Sequence, residues 1–168
     1  MATHPISFDT SLLVRDDHGQ YVMATADQIL DAARHVIDYK VRRGVPLISA
    51  NMVKEYLKAK LAGYDREVFA VILMDAKLCM IDYVELFQGT VTQTPVYPRE
   101  VVRLTMKYNA THVIISHNHP TGSTEPSAAD EALTQRLKAV LDLVDVRILD
   151  HIIVAGNETT SFAERGLL

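Results

Sequence analysis

Residues 112–130 constrain the fold more than any other part of the chain. His112-Val113-Ile114-Ile115 is a short apolar run with the β-branched content of a buried strand. Ser116-His117-Asn118-His119-Pro120 follows, and after a stiff loop containing Pro120, Gly122 and Pro126 a helical pattern opens at Ser127. Histidines at i and i+2 of extended chain point the same way, because side chains alternate across a strand. Asp130 falls in the first turn of the next helix. Two imidazoles and one carboxylate thus converge from a strand end and a helix start. Three such ligands leave a fourth position for water, the arrangement of a catalytic rather than a structural zinc site. A His-x-His pair alone is an ordinary feature, and Ser127-x-x-Asp130 alone is an ordinary capping box. Their combination, with seven residues between His119 and Ser127, favours metal binding by His117, His119 and Asp130 over a purely structural loop. The two roles of Asp130 are compatible, since a carboxylate fixed by its helix still offers an oxygen.

The pattern His117-x-His119-x7-Ser127-x-x-Asp130 resembles the JAMM (MPN-plus) metalloprotease motif. Tyr97-Pro98-Arg99-Glu100-Val101-Val102, Asp150-His151-Ile152-Ile153-Val154 and Ser161-Phe162-Ala163-Glu164 resemble the RadC-type branch of that superfamily, and the likeness runs from about Ser49 to Leu168. The resemblance implies an α/β, cytidine-deaminase-like (JAB1/MPN) fold, a zinc-hydrolase site and an association with DNA repair. It also implies a general base upstream, at the start of the first core strand, where Glu67 stands; Glu85 and Glu100 are the competing carboxylates. Ser127 matches the serine whose hydroxyl helps to polarise the scissile carbonyl. Asn118 stands where many eukaryotic members carry Ser or Thr.

The rest of the chain reads as one ordinary globular domain behind a short extension. Its 168 residues suffice for a core without staples. Thr25-Ala26-Asp27-Gln28 is a capping box opening a helix to about Val41, whose end Lys40-Val41-Arg42-Arg43-Gly44 is basic. A second helix starts near Ser49 or Asn51 and ends at Gly63. Glu67 to Asp75 reads as a central strand and Leu78 to Phe87 as its antiparallel return, with Cys79 as a buried thiol. Gly89-Thr90 starts a further extended piece. Pro98 opens a helix through Tyr108. From Ser127 a helix runs to about Leu143, its apolar stripe formed by Ala129, Leu133, Leu137, Val140, Leu141 and Val144. Val146 to Val154 is extended, and Thr159 to Phe162 closes the chain as a short strand. The order predicts a mixed β-sheet flanked by helices on both faces, with residues 1–48 as an accessory arm and 49–168 as the RadC-like domain. His151 reads as a strand histidine satisfied by hydrogen bonds in preference to a group supporting the metal site.

The net charge of −4 argues against a strongly cationic, sequence-blind nucleic-acid binder. Larger RadC proteins carry a helix-hairpin-helix module credited with touching DNA, and residues 1–48 show no Gly-x-Gly hairpin signature. A peptide or protein substrate is therefore expected ahead of DNA, with homo-oligomerisation through the arm open. The single cysteine fits a reducing, cytoplasmic setting, and no apolar run approaches the ~20 residues that span a bilayer. Gly-rich phosphate loops and nucleophile elbows are missing, which leaves nucleotide-triphosphate and serine-hydrolase chemistry without support. The expected activity is a zinc-dependent peptidase or isopeptidase. The alternatives are a DNA-repair or mobile-element accessory protein and a non-catalytic metal-binding scaffold.

Overall fold

The structure, a computed structural model, describes residues 12–40, 46, 49–89 and 95–168, the side chains of 37–40 aside. It divides into two compact units, Met1–Lys40 and Val41–Leu168. The basic segment at 41–44 and the start of an extended piece at Thr90 lie outside the described residues.

In the first unit, β1 (Leu13–Arg15) pairs antiparallel with β2 (Tyr21–Met23). Asp16 closes their turn by accepting the amides of His18 and Gln20 on Oδ1. The helix α1 (Ala26–Lys40) starts at the expected box: Thr25 N–H donates to Gln28 Oε1, and Gln28 N–H donates to Thr25 Oγ1.

The second unit is the expected mixed sheet flanked by helices. Its elements are α2 (Ala50–Leu61), β3 (Val68–Met74), β4 (Met80–Gln88), α3 (Pro98–Tyr108), β5 (His112–Asn118), α4 (Ala128–Asp142), β6 (Arg147–Ala155), β7 (Glu158–Ser161) and α5 (Phe162–Arg165). The five strands lie in the order β4-β3-β5-β6-β7; only the β5–β6 pair is parallel. Every residue of β3 is buried, as a strand covered on both faces requires. Parallel pairing demands a crossover, and α4 supplies it between β5 and β6. One face of the sheet packs Phe69, Val71, Leu73, Val113, Ile115 and Ile148 against Val101 of α3 and Leu137 and Leu141 of α4. The other is covered by α2, which buries Val53, Tyr56, Leu57 and Leu61.

Strand β6 is irregular. Val113 pairs with Ile148 but Ile114 pairs with Asp150, so Leu149 is an extra residue, a β-bulge. Side-chain alternation changes phase there. Ile148 faces α4, and beyond the bulge so does His151.

Three expectations need correction. Ala129 is exposed, because the first turn of α4 borders an open cavity, while Leu133, Leu137, Leu141 and Val144 pack on the core as expected and Thr134 joins the buried face. Phe162 belongs to α5 instead of the closing strand: Ser161 accepts the Glu164 amide on Oγ and caps a helical turn. Cys79 is half-buried in the β3–β4 turn, where its amide donates to Asp75 Oδ1.

Candidate metal centre

His117 lies in the last turn of the β5 ladder, paired with Phe69 on one side and Ile153 on the other. His119 follows just beyond the strand, its amide donating to Val154 O at 2.8 Å. Asp130 is the third residue of α4. The cluster therefore sits at the carboxyl end of the central strand and the start of the crossover helix, where α/β sheets place their ligands. The ligand atoms of His117, His119 and Asp130 lie within 4.8 Å of one another. His117 Nε2 is 2.9 Å from His119 Nε2 and 3.3 Å from Asp130 Oδ1, and His119 Nε2 is 3.7 Å from Asp130 Oδ2.

The donor set fits a metal. His119 Nδ1 stands 2.7 Å from the Ser123 carbonyl, which only accepts, so that nitrogen carries the ring proton and Nε2 presents its lone pair to the cluster. Electron-pair donors this close repel one another unless a cation lies among them. Their separations bracket the ~3.3 Å edge of a tetrahedron with metal–ligand bonds of about 2.0–2.1 Å. Two imidazoles and a carboxylate suit zinc among several first-row ions.

Ser127 forms the predicted box with Asp130. Its amide and hydroxyl both donate to Asp130 Oδ2, at 2.8 and 2.6 Å, while Oγ accepts the Asp130 amide. Burial acts to raise the Asp130 carboxyl, but His117 and the two Ser127 hydrogen bonds outweigh it and hold the group well below the usual carboxylate range. The carboxylate is thus kept ionised and aimed.

A cavity of about 610 Å³ opens over the cluster, lined among others by Glu67, Phe69, Tyr97, Ser127, Leu133 and Arg136. Glu67 immediately precedes β3 and shares this cavity with His117, His119 and Asp130. The competing carboxylates lie elsewhere. Glu85 accepts the hydroxyls of Tyr64 and Tyr83 on its two oxygens, and Glu100 pairs with Arg103 in the first turn of α3. Asn118 turns from the cluster to the start of β3.

His151 is more than a satisfied strand histidine. It is fully buried, its ring stacked on Phe162 at 4.5 Å between centroids, with Nε2 2.9 Å from His117 Nδ1 and Nδ1 2.6 Å from Thr134 Oγ1. Burial first, then the neighbouring His117, hold this imidazole far below its ordinary value, so it is neutral. Thr134 was not legible as a site residue. Its signal was a lone hydroxyl inside the apolar face of α4, four residues after Asp130, where a threonine can bond back to the i−4 carbonyl.

A mixed sheet flanked by helices, with metal-ligating side chains gathered from a strand end, a loop and a helix start, is consistent with a JAB-type domain. The chain belongs to the RadC-like JAB domain family, whose model matches residues 47–167. It is similar to a UPF0758 protein of Vibrio cholerae, with 50% identity over 142 residues that make up 84% of this chain and 90% of that protein. A UPF0758 protein of Idiomarina loihiensis is 47% identical over 140 residues, 83% of this chain. The chain spans only 62% of that relative's length, and 65% of a Janthinobacterium UPF0758 protein that is 48% identical. No helix among the described residues is long and apolar enough to cross a membrane.

Proposed function

We propose that the protein is a zinc-dependent hydrolase of the JAMM type, cleaving a peptide or isopeptide bond, with His117, His119 and Asp130 as metal ligands. The observation that carries this reading is that Glu67 lines the same 610 Å³ cavity as the three-ligand cluster. When bound, zinc supplies Lewis-acid polarisation of a carbonyl and a water acidic enough for use near neutral pH. Glu67 accepts the proton of the attacking water and returns it to the leaving amine. Ser127, whose hydroxyl rests on Asp130, turns it toward the carbonyl oxygen as negative charge develops there.

Peptide chemistry is favoured over action on DNA because Arg136 is the only Lys or Arg among the described residues lining the cavity, where Glu67 and Asp130 add negative charge. A phosphate backbone calls for a basic track. We assign residues 1–48 to an accessory arm and the protein to the cytoplasm. Leu12, Leu13, Tyr21 and Met23 are exposed on the arm and suit a contact between copies.

The test pairs elemental analysis with peptidase and isopeptidase assays. Wild-type protein is expected to hold about one zinc per chain; His119→Ala should lose it with little loss of fold, and Glu67→Gln should keep it and lose hydrolysis. Full activity in Glu67→Gln would remove Glu67 as the base.

A further inference from the structure

Behind the metal cluster, four groups form an unbroken file: His117 Nδ1, the His151 ring, Thr134 Oγ1 and the backbone carbonyl of Asp130. The successive separations are 2.9 Å, 2.6 Å and 2.7 Å. The file begins and ends on two of the proposed ligands.

The direction of its hydrogen bonds follows from donor inventory alone. A carbonyl oxygen cannot donate, so the single hydroxyl proton of Thr134 occupies the 2.7 Å contact with Asp130 O. Thr134 Oγ1 has then no proton left for His151 and must accept, which puts a proton on His151 Nδ1. His151 is fully buried with its two ring nitrogens facing His117 and Thr134, neither of them a carboxylate, and a neutral ring carries one proton only. Its Nε2 therefore accepts, and the donor at 2.9 Å is His117 Nδ1–H.

We infer that Thr134 and His151 are positioning residues that fix the proton of His117 on Nδ1 and so reserve its Nε2 lone pair for the metal. The anchor is the helix itself: the Asp130 carbonyl that orders the file belongs to the residue whose carboxylate completes the ligand set. His119 reaches the same tautomer by a shorter route, directly through the Ser123 carbonyl. Phe162, stacked on His151, and Phe69, edge-on to it at 6.4 Å, pack the relaying ring in place. Outer hydrogen bonds of this kind orient ligand imidazoles and strengthen their binding.

The inference rests on the metal reading above, and its test separates the two. Nitrogen-15 spectra of histidine-labelled wild-type protein, metal-free and zinc-loaded, should show His151 protonated on Nδ1 and bare on Nε2 in both states. A proton on His151 Nε2 would reverse the file and overturn the inference, whatever the zinc content. Failure to bind zinc with His151 still protonated on Nδ1 would sink the metal reading and, with it, the purpose assigned to the file. Thr134→Val keeps the shape and removes the acceptor. Zinc affinity by chelator competition should then fall about 10- to 100-fold, and Thr134→Ser should recover it to within about threefold. Unchanged affinity in a folded Thr134→Val protein would make the hydroxyl a packing feature and overturn the inference.

Discussion

Asn118 brackets Glu67. From the end of β5 its side chain donates to Arg66 O at 2.9 Å and accepts the Val68 amide at 2.8 Å, so both backbone neighbours of Glu67 are held by one planar amide. The residue between the two histidines thus ties the segment carrying the carboxylate to the segment carrying the ligands.

Asn118→Ala removes both bonds and leaves the buried Val68 amide, and the Arg66 carbonyl, without them. A loss of about 1–3 kcal/mol in stability is expected from denaturant titration. Zinc content should stay at the wild-type level, while turnover falls as Glu67 loses its register. Lost zinc with normal turnover per bound metal would contradict this division of labour.

Ser127→Ala should lower stability by about 1 kcal/mol through the missing N-cap. It also frees Asp130 Oδ2 from a 2.6 Å hydrogen bond, so zinc affinity should fall about tenfold. Ser127→Asn restores a good cap without the hydroxyl. Recovery of thermal stability without recovery of affinity would separate the cap from the orienting role.

Leu141 is fully buried between α4 and the sheet, well along the helix from Asp130. Leu141→Ala is expected to cost about 2–5 kcal/mol. Any folded fraction should still bind one zinc, as metal titration below the unfolding midpoint would report.

Asp150 carries a pH dependence of opposite sign to that of a paired carboxylate. Burial lifts its carboxyl above the ordinary value, against hydrogen bonds from Ser161 Oγ and the amides of Ala163 and His151. The folded state then keeps the proton to higher pH than the unfolded chain, which ionises near ~3.9. Its contribution is greatest below that value and is lost as pH rises through the folded pKa. Asp150→Asn should abolish this trend, so the variant should gain on the wild type as pH rises from about 4 toward neutrality, read by denaturation at each pH.

What sequence periodicity carried well was local. The α3 start at Pro98, the Thr25 and Ser127 boxes and the apolar run of β3 depend on neighbours in the chain and emerged as read. The convergence of His117, His119 and Asp130 was legible for the same reason, since strand, loop and helix are consecutive. His151 and Thr134 were not, because their meeting depends on parallel pairing of β5 with β6 and on the helix that crosses between them. The closing strand stops one residue short of Phe162, because the cap from Ser161 turns the chain into α5 there. Asn118's hold on the start of β3 spans 50 residues of chain and leaves no periodic trace.

The extra residue in β6 divides that strand into two halves of opposite parity. Upstream of Leu149, Ile148 fills the α4 side; downstream, odd-numbered His151 does. A one-residue deletion at either Leu149 or Asp150 would therefore remove the extra residue and leave His151 opposite Ile115, but the deletion at Asp150 would also strip α5 of the carboxylate that accepts from Ser161 and Ala163. The two deletions shorten β6 equally, yet only the one at Leu149 spares the carboxylate that holds the first turn of α5.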